Sequence, residues 1–202
     1  MSSDSPYQTR DVQHFESWSR RYEASWMQRR LFGPVHAATL DLAASLPAPA
    51  TILDIGCGTG RLLRAAALRW PTAALIGVDP AEGMVEVARN LTPGATIYRA
   101  LAESLPLPDA SVDLALSTVS FHHWGDQAAA FREIARILRP GGYFILSDFA
   151  PPSILARLHL TGRAQPAAAR VRLLANAGFS VVRRQNMAYP MILATVATLK
   201  AP

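Results

Sequence analysis

The chain has 202 residues, half of them hydrophobic and 17% charged, which places it in the globular range and excludes a disordered chain. Its single cysteine, Cys57, excludes an intramolecular disulfide and a cysteine-rich metal centre. A net charge of +5 invites an acidic partner such as nucleic acid. The arginine pairs at 20–21, 29–30 and 183–184 form no continuous stripe, however, and a solvated basic surface is the favoured reading.

The opening MSSDSPYQTR is polar and lacks the apolar core of a signal peptide. The late apolar stretch MILATVATL falls far short of the roughly 20 residues a membrane helix needs. One domain in the cytoplasm, without membrane insertion, is the expectation. Residues 9–46 read as helical, with Phe15, Trp18 and Tyr22 at three- and four-residue spacing and a second run over 35–46. The segment LPAPA at 46–50 then breaks the pattern.

From 51 onward short apolar runs alternate with helical patterns. TILDI is a strand, followed by a helix over about 60–70, the strand ALIGVD and a helix over 81–91. ATIYRA and VDLALST are two more strands, and Gln127–Leu138 is a helix that Pro140-Gly141 ends. Gly142–Asp148 is a strand, 166–177 a helix stopped by Gly178, and FSVVRRQ and MILATVATLK are two closing strands. Strand–helix alternation with nearly continuous apolar strands predicts a parallel sheet covered on both faces, with an antiparallel pair at one edge.

The first strand runs into DIGCGTGR, which places Gly56, Gly58 and Gly60 on alternate positions before a helix. Glycine there permits a tight turn and lets a ligand lie against the main chain. A dinucleotide site has the spacing G-x-G-x-x-G with a pyrophosphate at the helix start; here the third glycine comes one residue early, and Asp54 sits two residues before the first. An acid repels phosphate and suits an ammonium or sulfonium group. Asp79, ending the second strand, is placed to accept hydrogen bonds from ribose hydroxyls or to cap the following helix.

Four segments in order, DIGCGTG, GVDPAEGM, AESLPLPDASVDL and LRPGGYFILSD, make the chain resemble the class I S-adenosylmethionine-dependent methyltransferases. The similarity is closest to the branch that includes the ubiquinone and menaquinone biosynthesis enzymes. The resemblance implies a Rossmann-like, doubly wound α/β fold: a seven-stranded sheet, mostly parallel with an antiparallel edge strand, helices on both faces. It implies S-adenosylmethionine as cofactor, with Asp54 and the loop Gly56, Cys57, Gly58 and Gly60 around its methionine part. Asp79, with Pro80 beside it, would take the ribose; Met84 would pack on adenine or serve as core. Ala102 and Glu103 would meet the adenine edge, where Leu101 replaces the family's usual aspartate. Ser117 and Thr118 would offer backbone contacts.

His122 and His123 follow the fourth strand, in SFHHWGD. Histidine suits a general base near neutrality, and it can equally shape the pocket; Trp124 is either pocket wall or core. Two adjacent histidines do not make a metal site. Cys57, inside the glycine loop, is no nucleophile, which argues against cytosine-C5 methylation, and no Asn- or Asp-Pro-Pro-aromatic stretch follows the fourth strand. Residues 1–47 are expected to form a helical lid, with Tyr22 near the cofactor, over a domain at 48–202. The expected partner is a small-molecule acceptor (phenolic, quinol-like or amine) and the protein a monomer or homodimer. An RNA or protein methyltransferase, an NAD-binding oxidoreductase and a non-catalytic regulator are the alternatives.

Overall fold

The structure, a computed structural model, describes residues 30, 32–157, 163–187, 189 and 191–199. Phe15, Trp18 and Tyr22 of the first expected helix lie outside these residues. Helix α1 (Gly33–Ala44) leads to β1 (Thr51–Ile55), α2 (Arg61–Arg69), β2 (Ala74–Asp79), α3 (Glu82–Leu91), β3 (Ala95–Arg99) and β4 (Val112–Thr118). A 3-10 turn (Phe121–His123) precedes α4 (Gln127–Ile137), β5 (Leu138–Phe149), α5 (Ser153–Arg157), α6 (Ala167–Asn176), β6 (Phe179–Asn186) and β7 (Ile192–Leu199).

The strands make one seven-stranded sheet in the order β3-β2-β1-β4-β5-β7-β6. β1 pairs in parallel with both β2 and β4, so the chain winds outward to β3 and then returns past β1 to build the other half. That reversal leaves a crevice at the carboxyl ends of β1 and β4, where open α/β sheets hold ligands. The β6–β7 hairpin supplies the antiparallel edge, with β7 inserted between β5 and β6.

Period-two alternation divides the strand side chains between two cores. Ile52, Leu114 and Ile145 pack with Val35 and Leu40 of α1, Leu62 and Leu63 of α2 and Val85 of α3. On the opposite face Leu53, Ile55, Ala115 and Phe144 pack with Phe131 and Ile134 of α4 and Leu174 of α6. Both faces are covered, which is why the strands read as near-continuous apolar runs. Asp113 fixes the entry to β1, its Oδ2 accepting the N–H groups of Ala50 and Thr51 at 3.0 and 2.8 Å.

Two features depart from the sequence expectation. Pro140-Gly141 does not separate helix from strand: β5 already pairs at Leu138 with Val112 and resumes at Tyr143 opposite Leu114 after an irregularity. Gly141, at φ +77°, supplies the left-handed residue that such a bulge uses. Helix α5 is five residues long, too short to leave a periodic signature.

One aromatic layer ties the 3-10 turn to the sheet. Phe131 stacks on Phe121 with centroids 5.2 Å apart and meets Trp124 and Phe144 edge-on at 6.1 and 5.9 Å. Phe131→Ala is expected to cost about 3–5 kcal/mol, read as a lower denaturant midpoint with an unchanged slope.

Candidate functional site

β1 ends at Ile55, and the chain turns through Gly56, Gly58 and Gly60 at φ +74°, +53° and +82°. Glycine enters this left-handed region without the Cβ cost that other residues meet. Space demands it too, since a Cβ at Gly56 would stand 1.9 Å from Ser120 Oγ. The N–H groups of Gly56 and Cys57 donate to the Val78 carbonyl at 2.9 and 3.0 Å. Gly58 N–H donates to Asp79 Oδ2 at 2.9 Å, and Ala81 N–H donates to Asp79 Oδ1 at 3.0 Å. Asp79 therefore braces the glycine loop and its own turn; the N-cap of α3 is Ala81, which receives no side-chain cap.

The loop, the ends of β2 and β4 and the segment after β3 enclose a cleft of about 770 Å³, mouth included. Of the residues singled out from the sequence, Gly56, Gly58, Asp79, Pro80, Met84, Ala102, Glu103, Thr118 and His123 line it, with Leu101 among them. Asp54 and Ser117 are buried behind the wall, at 1% and 0% exposure. Cys57 packs in the core with Leu62 and Leu63, Gly60 caps the start of α2, and His122 stands outside the lining. Trp124 fills both roles weighed for it, lining the cleft while packing on Phe131. Tyr22 lies outside the described residues.

Sequence reasoning missed Val119, Ser120 and Asp148. Val119 turns the chain at the end of β4 with φ +50°, a region a β-branched residue rarely enters. Ser120 faces Gly56 and accepts the Trp124 Nε1–H at 3.2 Å. Asp148, at the end of β5, meets His122 Nδ1 at 2.8 Å; nothing in its local sequence marks it as a histidine partner.

The floor of the cleft is acidic. Burial, followed by the charge of Asp79, pushes Asp54 up to about 8, and burial pushes Asp79 up to about 6 against the N–H groups of Ala81 and Gly58. Asp54 Oδ1, Glu103 Oε2 and Ser117 Oγ are buried without partners. A cleft with orphaned acceptors and buried carboxylates fits a ligand that is cationic and rich in hydrogen-bond donors. Among the described residues no group of three or more His, Cys, Asp or Glu side chains is placed to hold a metal ion. No helix among them is long and apolar enough to cross a membrane.

Because these folded-state values exceed the usual carboxylate value of 3.8, the folded chain keeps protons that the unfolded chain has lost. The stability from these two groups is whole below about pH 4 and falls as pH rises toward 8. Asp54→Asn removes most of that loss. Denaturant titration of the ligand-free variant is expected to match the wild type at pH 4 and to exceed it at pH 8 by about 1–3 kcal/mol.

A family model described as a methyltransferase domain matches residues 53–146. The malonyl-[acyl-carrier protein] O-methyltransferase of Methylococcus capsulatus is 35% identical over 172 residues, 77% of this chain and 62% of that one. The dimethylglycine N-methyltransferase of Parasynechococcus marenigrum is 34% identical over 147 residues, 65% of this chain and 52% of that one. The chain thus spans about half to under two thirds of the length of these curated relatives. An S-adenosylmethionine-dependent methyltransferase structure from Thermotoga maritima superposes with a TM-score of 0.70 at 26% identity, covering 94% of this chain and 99% of that one. With its switch-point cleft, its glycine loop and these relatives, the chain is similar to the class I S-adenosylmethionine-dependent methyltransferases, and residues 53–146 carry the match to a methyltransferase domain.

Proposed function

We propose that the chain performs that family's reaction on a small molecule, moving a methyl group from S-adenosylmethionine to a phenolic, quinol-like or amine acceptor. The observation that carries this reading is the pair of buried carboxylates, Asp54 behind the cleft wall and Asp79 on it. Such a pair is costly in the empty protein and is offset by a ligand that brings an ammonium and a sulfonium.

In this reading Asp54 and the loop Gly56, Cys57, Gly58 and Gly60 hold the methionine part, and Asp79 with Pro80 holds the ribose. Each Asp79 oxygen already accepts one N–H and keeps a lone pair for a sugar hydroxyl. Met84 packs on adenine and Ala102 meets its edge. Glu103 takes over from the aspartate that Leu101 replaces: Oε1 is tied to the Asp126 N–H at 2.8 Å, while Oε2 is buried without a partner. Ser117 and Thr118 close the β4 side, and His123 borders the reacting end.

When bound, the cofactor supplies an electrophilic methyl on a cationic sulfur. The protein aligns the acceptor with it and excludes water, and positioning of this kind is worth roughly 7–11 kcal/mol of barrier.

Calorimetry with S-adenosylhomocysteine tests the assignment. Asp79→Ala is expected to weaken binding by about ten- to a hundredfold, as loss of charge-assisted hydrogen bonds does, while His123→Ala leaves it intact; equal losses would overturn the residue roles. A cation favours the ionised carboxylates, so S-adenosylmethionine binding should release protons and tighten from pH 6 to pH 8. Affinity that is flat across that interval would remove the electrostatic basis of the reading.

A further inference from the structure

We propose that Asp148 is a positioning residue that makes His122, rather than His123, the proton acceptor of the reaction. The site then takes an acceptor whose nucleophilic atom carries both a lone pair and a proton, a hydroxyl or a neutral amine, rather than a carboxylate. This inference rests on the methyl-transfer reading above and assigns its proton acceptor.

Asp148 is fully buried, and its carboxylate is held from three sides. Oδ2 accepts the Phe121 N–H at 2.8 Å; Oδ1 accepts the Phe149 N–H at 2.6 Å and meets His122 Nδ1 at 2.8 Å. An ionised carboxylate only accepts, so the nitrogen facing it carries hydrogen. The neutral ring is thereby fixed in the Nδ1–H tautomer with its lone pair on Nε2. Contact with Asp148 is the one hydrogen bond of His122 among the described residues, and the side chain is 21% exposed. Nε2 is the atom left open.

Arg170 of α6 completes the arrangement. It is fully buried, its guanidinium lies 5.6 Å from the Phe121 ring centroid, and its Nη2 has no partner. Burial draws it down to about 10 while the charge of Asp148 acts the other way, so it stays cationic at neutral pH. A buried cation and a buried carboxylate offset each other on either side of the Phe121 turn. That turn carries His122, and the Asp148 carboxylate holds both its backbone, through the Phe121 N–H, and the ring.

The two histidines are not equivalent. His123 lines the cleft. His122, with its ring centroid 4.0 Å from that of His123, stands edge-on to Phe149. From Phe149 the chain runs into Ala150 and Pro151, which line a second, open groove. His122 lines neither cavity itself: its ring packs between His123 of the cleft wall and Phe149, which leads into the groove, and the acceptor's nucleophilic atom is placed beside it. As the acceptor's lone pair takes the methyl carbon, the methyl–sulfur bonding pair stays on sulfur and the acceptor's proton goes to Nε2. The imidazolium that results faces Asp148. A carboxylate has no proton to hand over.

Long-range proton–nitrogen correlation spectra of the full chain should show neutral His122 in the Nδ1–H form. The full chain with methyl-labelled S-adenosylmethionine is then offered phenols, alcohols and amines beside a malonyl thioester. Label should enter a hydroxyl or amine member. Asp148→Asn and His122→Asn should each lower kcat about a hundredfold or more while the KM for S-adenosylmethionine stays unchanged. His122→Asn leaves both backbone partners of Asp148 in place, so it reports even if the Asp148 variant unfolds. The Nε2–H form, label in the malonyl thioester alone, label in no hydroxyl or amine member, or unchanged kcat in His122→Asn would each overturn the proposal. Absence of S-adenosylhomocysteine binding to the wild type would instead remove the parent reading.

Discussion

The Asp79 carboxylate joins the end of β2 to the glycine loop after β1, through the Gly58 N–H. This side chain helps fix where the loop lies, and the loop decides the floor of the cleft. The glycines accept the left-handed turn without strain, but they do not choose its direction. The choice is made by the Val78 carbonyl, which takes the Gly56 and Cys57 N–H groups, and by Asp79 beside it. The cleft is in this sense a property of the β1–β2 pairing, since shifting its register would separate brace from loop.

The same end of the sheet holds several energetically unfavourable features. Two carboxylates are buried near each other, one with an unpartnered oxygen. Val119 holds a left-handed backbone that costs a non-glycine residue about 1–3 kcal/mol. Elsewhere the strands alternate conventionally between two apolar cores. Local violations of this kind are expected where binding rather than folding sets the residues.

The far wall of the cleft is held by a different mechanism. Phe121, Trp124, Phe131 and Phe144 form one aromatic layer, and Asp148 secures the Phe121 N–H from behind it. Arg170, from a helix late in the chain, brings the compensating charge into that layer. The wall therefore draws on β4, β5 and α6 at once, whereas the loop side depends on β1 and β2. An acceptor contacting the first and a cofactor contacting the second would meet along the line of His123 and His122.

Much of this was legible in the residues themselves. Apolar periodicity and the glycine spacing place β1, β2, β4 and the loop, because strand pattern and turn chemistry are local properties of the chain. Asp54 and Asp79 stand out because acids beside glycines at strand ends are chemically conspicuous. Pro140-Gly141 misled, since a helix stop and a strand bulge use the same residues and only the Leu138–Val112 pairing separates them. The fit of Ser120 against Gly56, the histidine partnership of Asp148 and the burial of Arg170 were decided by tertiary structure alone. Each depends on groups tens of residues apart meeting within a few ångströms, and no pattern read along one segment records which distant segment will be packed against it.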